Sequence, residues 1–133
     1  MSGEPRIYLD SSALVKLVLA EAESSVLDEH LGPRPDLICC ALVQVEVVRA
    51  VRRYGAEAVA DARRLLAPIE MIDVDEPLLR AAADIEEPSL RSLDSIHVAA
   101  AVSLGEDLAE LITYDARMAE AASNLGLTVA APA

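Results

Sequence analysis

Aromatic residues are almost missing from this chain. Its 133 residues hold three tyrosines, Tyr8, Tyr54 and Tyr114, and no phenylalanine or tryptophan. The core must therefore be aliphatic, and few side chains are available to stack on bases. Lysine occurs once, at Lys16, and the remaining basic residues are arginines, the type suited to bidentate phosphate contacts. A net charge of −12 argues against a protein that coats nucleic acid through a broad basic surface. It is compatible with a metal-dependent nuclease, because bound cations invert the local charge. It also favours a basic protein partner. The two cysteines, Cys39 and Cys40, are adjacent. On a strand they point to opposite faces, so a structural disulfide between them is excluded and both read as small buried hydrophobes in a reducing compartment. No uncharged run approaches a membrane span, and Glu4, Arg6 and Lys16 break the N-terminal region where a secretory signal would need to be apolar. A cytoplasmic protein without membrane association is expected. Neither GxxxxGK[ST] nor GxGxxG occurs, which removes the usual nucleotide-binding readings.

What is present is a chain that is 53% hydrophobic, long enough for one domain over residues 1–133 with a real core. Ile7 to Asp10 reads as a buried strand, followed by a helix to about Leu19 that Ser11 or Ser12 would cap. Glu23 to Leu31 is helical, and Gly32-Pro33-Arg34-Pro35 is a break. Leu37 to Cys40 is a second strand. A helix from about Leu42 to Tyr54 stops at Gly55, and another spans Glu57 to Leu66. Ile69 to Val74 is a third strand, and Asp75-Glu76-Pro77 starts a helix to about Ile85. An Ala-rich helix runs from Asp94 to Leu104, a strand from Leu108 to Thr113, a helix from Asp115 to Leu125 and a short strand from Leu127 to Ala130. Strands alternating with helices predict an α/β fold, a three-layer α/β/α domain around a parallel sheet of four to five strands.

Four carboxylates sit at the ends of these strands or in the first turns of the helices that follow: Asp10, Glu46, Asp94 and Asp115. Sites in open α/β sheets form outside the carboxyl ends of the strands. Oxygen ligands gathered there suit hard divalent cations such as Mg²⁺ or Mn²⁺. Each acid also has a plainer role to set against this. Asp10, Asp94 and Asp115 stand where helix caps belong, and Glu46 could be a solvated helix charge, although Val43, Val45, Val47 and Val48 around it are apolar.

The segments Tyr8-Leu9-Asp10-Ser11-Ser12-Ala13-Leu14, Val43-Gln44-Val45-Glu46-Val47, Leu93-Asp94-Ser95-Ile96-His97-Val98-Ala99-Ala100-Ala101 and Thr113-Tyr114-Asp115 follow one another in an order and spacing that covers nearly the whole chain. In this the chain resembles the PIN-domain ribonucleases, specifically the VapC-type toxins of toxin–antitoxin pairs. The resemblance implies that Asp10, Glu46, Asp94 and Asp115 are the catalytic acids that bind Mg²⁺ or Mn²⁺. It implies that Ser11, Ser12 and Thr113 help hold the carboxylates. It further implies endoribonuclease activity, a homodimer and silencing by a VapB-type antitoxin whose basic segment would suit the charge of −12. Cys40 and Val43 depart from the pattern, standing where relatives often carry Ser and Thr.

Arg49 lies one turn beyond Glu46 and, with Lys16 and Arg91, is a candidate substrate contact. Arg52 and Arg53 read as a helix end favouring its dipole. His97, one turn after Asp94, reads as a packed, hydrogen-bonded histidine ahead of a general base, since a metal can activate water unaided. His30 reads as surface, and Asp73, Asp75, Asp84, Glu86 and Glu87 as caps and solvated charge. Among other small α/β folds, a response-regulator receiver needs a lysine after a late strand, and the single lysine is Lys16. A haloacid-dehalogenase-type phosphatase needs an aspartate two places after the first, where Ser12 stands. The non-enzymatic alternative is a PIN-like module that binds RNA or protein without cutting.

Overall fold

A computed structural model describes residues 5–33 and 36–133. Five strands form one parallel sheet: β1 Arg6–Leu9, β2 Leu37–Cys40, β3 Glu70–Ile72, β4 Leu108–Ile112 and β5 Val129–Ala130, in the order β3-β2-β1-β4-β5. Seven α-helices connect and cover them: α1 Ser11–Val18, α2 Ser24–Leu31, α3 Val43–Val51, α4 Ala56–Leu66, α5 Glu76–Ala83, α6 Ser92–Val102 and α7 Ala116–Asn124. The chain is a three-layer α/β/α structure. Short 3₁₀ turns at Arg52–Tyr54 and Gly105–Asp107 precede α4 and β4.

Parallel strands buried on both faces read as continuous apolar runs, and the strands divide their residues by parity. Ile7, Leu9, Cys39 and Ile112 enter the core under α1 to α4. Tyr8, Ile38, Cys40 and Leu111 enter the core under α5 to α7. The two cysteines are thus buried on opposite faces and unbridged. Helix α6 buries six consecutive residues, Ile96 to Ala101. Its alanine run presents small side chains to the sheet, so the helix packs against β2 and β4. That brings the first turn of α6 to the carboxyl end of the sheet.

Three local expectations change. Asp10, not Ser11 or Ser12, caps α1, its side chain accepting from the Ala13 N–H. Asp94 does not open its helix: α6 begins at Ser92 with Arg91 at the cap position, which places Asp94 third in the helix. The helix expected through Tyr54 ends at Val51 and continues as a 3₁₀ turn until Gly55, whose φ of 105° stops it. Of the break expected at residues 32–35, Arg34 and Pro35 lie outside the described residues, as does Glu4 at the N-terminus. Among the described residues no helix is long and apolar enough to cross a membrane.

Candidate active site

The strand order reverses at β1, which lies between β2 and β4. Crevices in open α/β sheets form at such a switch point. Leu9 pairs with Ile112, and the Asp10 N–H donates to the Ile112 carbonyl at 3.3 Å. The residues that leave β1 and β4 are therefore neighbours. Thr113 Oγ1 donates to Asp10 Oδ2 at 2.5 Å, and Ser12 Oγ donates to Asp10 Oδ1 at 2.7 Å. The same hydroxyls accept from the next loop: Ser12 Oγ from the Tyr114 N–H at 2.9 Å, Thr113 Oγ1 from the Asp115 N–H at 3.1 Å. Asp10 is 2% exposed. Burial raises its pKa, opposed by the hydrogen bonds from Thr113, Ser12 and Ala13.

Glu46 lies on α3, half-buried. Its Oε1 accepts from Ser11 Oγ at 2.6 Å and from His97 Nε2 at 2.7 Å. Burial pushes the carboxyl up, but the hydrogen bonds from His97 and Ser11 outweigh it and leave the pKa lowered. Both contacts use one oxygen, so Oε2 accepts no hydrogen bond among the described residues.

His97 is 1% exposed and is contacted on both sides. Its Nδ1 is 2.8 Å from the Tyr8 hydroxyl and 3.7 Å from Cys40 Sγ. Burial opposes the charged ring, yet the hydrogen bonds and charges of Cys40 and Glu46 outweigh it and raise the pKa to about 10. Both ring nitrogens are thus engaged, Nε2 with Glu46 and Nδ1 with Tyr8. Asp94, one turn earlier on α6, has its pKa raised by burial and then by the charges of Asp115 and Glu46. It accepts no hydrogen bond among the described residues. Asp115 caps α7, with Oδ1 accepting from the Arg117 N–H at 2.9 Å and the Met118 N–H at 3.2 Å.

The four acids thus share one edge of the sheet, close enough for Asp115 and Glu46 to act on Asp94. Among the described residues, no group of three or more His, Cys, Asp or Glu side chains is drawn together tightly enough to enclose a metal ion. Magnesium keeps several of its waters and needs only one or two protein carboxylates, so an open set of oxygens is compatible with it. The donor set fits a hard cation: Glu46 Oε2, both oxygens of Asp94 and Asp115 Oδ2 accept no hydrogen bond among the described residues, and no Lys or Arg pairs with them.

The other candidates lie apart from one another. Arg49 is exposed on α3. Arg91 is exposed at the start of α6, its charge lowering the pKa of Asp94 against larger raising effects. Lys16 is bound to Glu23 at 2.7 Å and Glu21 at 3.3 Å and sits 4.8 Å from the centre of the Tyr114 ring. Val43 is buried core. His30 is on the surface, bound to Glu110. Tyr8 was not singled out by the sequence. Its only signal there is a lone aromatic with a polar end in an otherwise aliphatic strand, and such a hydroxyl needs a partner when buried.

Residues 7–124 match the PIN domain family, and the chain belongs to it. Within that family its similarity runs to VapC proteins. It is 45% identical over 126 residues to Ribonuclease VapC46 of Mycobacterium tuberculosis (strain ATCC 25618 / H37Rv), covering 95% of this chain and 97% of that protein. It is 42% identical over 130 residues to Ribonuclease VapC35 of the same species (strain CDC 1551 / Oshkosh), covering 95% and 96%. The fold is also that of the crystal structure of Mycobacterium tuberculosis VapC20, described as a sarcin-ricin loop cleaving toxin. There the TM-score is 0.72 at 20% identity, covering 95% of this chain and 99% of that one. A toxin–antitoxin complex from Klebsiella pneumoniae gives a TM-score of 0.65 at 20% identity, covering 82% and 86%.

Proposed function

We propose that this chain is a VapC-type toxin, a PIN-domain endoribonuclease that hydrolyses RNA phosphodiester bonds with Mg²⁺ or Mn²⁺. One observation carries the reading. Three hydrogen-bonded carboxylates, Asp10, Glu46 and Asp115, stand at the switch point of the sheet with Asp94, whose side chain accepts no hydrogen bond among the described residues. The relatives named ribonucleases support the activity. Asp10, Glu46, Asp94 and Asp115 would hold the ion. The chemistry such an ion supplies is neutralisation of phosphate charge and acidification of water. The protein's own part is positioning. Ser12 and Thr113 fix Asp10, and Ser11 and His97 fix Glu46 with Oε2 left free. The first turn of α6 favours the negative charge of Asp94 through the helix dipole.

The partner is a VapB-type antitoxin, an assignment supported by the VapC relatives and by the net charge of −12, which suits a basic segment. The chain acts as a cytoplasmic homodimer of single PIN domains. The test is cleavage of total cellular RNA by the purified chain with Mg²⁺, Mn²⁺ or EDTA, beside Asp94→Asn prepared identically. Discrete fragments are expected only from the wild type with metal. Equal cleavage by Asp94→Asn would remove the acids from the mechanism.

A further inference from the structure

The arginines of this acidic chain are not spread evenly. Half of them, Arg49, Arg52, Arg53, Arg63 and Arg64, fall within residues 49–64, where the only acids are Glu57 and Asp61. Those residues form the end of α3, the 3₁₀ turn and α4, and all five arginines are exposed. Arg64 is paired with Asp61. Arg53 donates to the Tyr54 hydroxyl at 2.9 Å, with its guanidinium 5.0 Å from the centre of that ring. The side chains of Arg49, Arg52 and Arg63 make no hydrogen bond or ion pair among the described residues. A favourable helix dipole accounts for arginines near the ends of α3 and α4. It does not account for Arg52 and Arg63, from different elements, lining one hollow of about 560 Å³ along α4 with Gly55, Ala56 and Val59. A neighbouring hollow of about 480 Å³ shares Arg63 and extends to Gln44 of α3.

Tyr54 is the second observation. Tyr8 is fully buried and Tyr114 lies under Lys16, so the most exposed aromatic ring of the described residues, at 53%, stands inside this arginine surface. Guanidinium groups without partners suit phosphate oxygens, and an exposed ring beside them offers a face to an unstacked base. Helix α3 connects the surface to the acids. Glu46 and Arg52 are six residues apart, roughly 9 Å along the helix, with Arg49 on the turn between them.

We propose that α3, the 3₁₀ turn and α4 form a docking surface for single-stranded RNA outside the carboxylate site. Arg52 and Arg63 hold its backbone phosphates, and Tyr54 stacks on a base. This rests on the ribonuclease reading and adds to it a place where substrate is held without being cut. It also explains how a chain of net charge −12 retains a polyanion.

The test is fluorescence anisotropy of a short single-stranded RNA of mixed sequence. It is run with the full chain in EDTA, so that nothing is cleaved, between about 50 and 200 mM salt. The variants are Arg52→Gln/Arg63→Gln and Tyr54→Ala, with Arg80→Gln/Arg117→Gln as a control for loss of charge elsewhere. The double variant at the surface is expected to bind at least roughly tenfold more weakly and to lose about 1.4 from the slope of log affinity against log salt, two single-strand phosphate contacts. Tyr54→Ala should lose about tenfold. In cleavage assays both should raise KM and leave kcat in place. Wild-type affinity and slope in Arg52→Gln/Arg63→Gln, with cleavage still abolished by Asp94→Asn, would overturn the docking surface alone. Equal losses in the Arg80→Gln/Arg117→Gln control would overturn it too, leaving only net charge. If the wild type neither binds nor cuts RNA, the ribonuclease reading falls with it. Arginine-dependent binding of polyglutamate, without RNA binding, would reassign the surface to an acidic protein partner.

Discussion

His97 joins two groups that no local sequence signal relates. Tyr8 is 89 residues from it and Glu46 is 51, and they meet it at 2.8 and 2.7 Å. The contact fixes which oxygen of Glu46 is occupied and so which one is left without a hydrogen bond among the described residues. Glu46 is a proposed metal ligand, and losing a hydrogen-bond partner behind a ligand typically costs 10- to 100-fold in metal affinity or activity. His97→Ala is therefore expected to lower Mn²⁺ affinity by roughly tenfold or more in a calorimetric titration. His97→Gln can still donate to Glu46 and should recover part of that loss, which a role in packing alone would not produce. Tyr8→Phe keeps the ring but leaves Nδ1 only the Cys40 sulfur at 3.7 Å, and should fall between wild type and His97→Ala. Wild-type Mn²⁺ affinity in a folded His97→Ala would show that the histidine does not position Glu46.

At the scale of elements, Lys16 belongs to the seam between α1 and α2. Its bond to Glu23 raises the Lys16 pKa, with burial opposing, and lowers that of Glu23. A lowered carboxyl contributes stability above its unfolded pKa of about 4.3, and that contribution is lost as pH falls through the lower folded value. A raised lysine contributes below about pH 10.4 and loses it as pH rises through the higher folded value. Lys16→Met should therefore melt roughly 2 °C below wild type near neutrality, and the gap should narrow below about pH 4. Melting curves followed by circular dichroism across that range check this; a gap unchanged at pH 3 would assign the seam to packing on Tyr114 instead. The elements themselves were largely legible, because strands buried on both faces are plain apolar runs and Gly55 and Asp75 mark their helix boundaries in side-chain and backbone chemistry. The start of α6 was not. Arg91 makes no capping hydrogen bond from its side chain, so nothing local separates Ser92 from Asp94 as the first residue. The cap of α1 was misread because three adjacent residues, Asp10, Ser11 and Ser12, all have capping side chains. Tertiary neighbours decide among them: the residues after β4 bring Thr113 onto Asp10 and the Tyr114 N–H onto Ser12, and α3 brings Glu46 onto Ser11.

For the whole molecule, the net charge of −12 was readable from composition, but not its distribution. Arginines collect on α3, the 3₁₀ turn and α4, while the four acids gather at the carboxyl end of the sheet with His97 bound to Glu46. On the proposed reading, these acids would couple metal binding to stability. A cation that binds the folded chain and not the unfolded one stabilises it by mass action, about 2.7 kcal/mol at 100 times Kd. For a domain of this length that is a rise in Tm of roughly 10 °C. Wild type in scanning calorimetry should show such a rise with saturating Mg²⁺ or Mn²⁺, reversed by EDTA. Asp94→Asn separates this from non-specific ion effects. The substitution removes one charge from a group whose pKa the charges of Asp115 and Glu46 help raise. Without metal the variant should therefore melt at or above the wild-type temperature, and with metal it should gain little. A Tm that rises equally in both proteins would mean the ion acts elsewhere on the acidic surface, and a wild type indifferent to metal would mean that the four carboxylates tolerate one another without it.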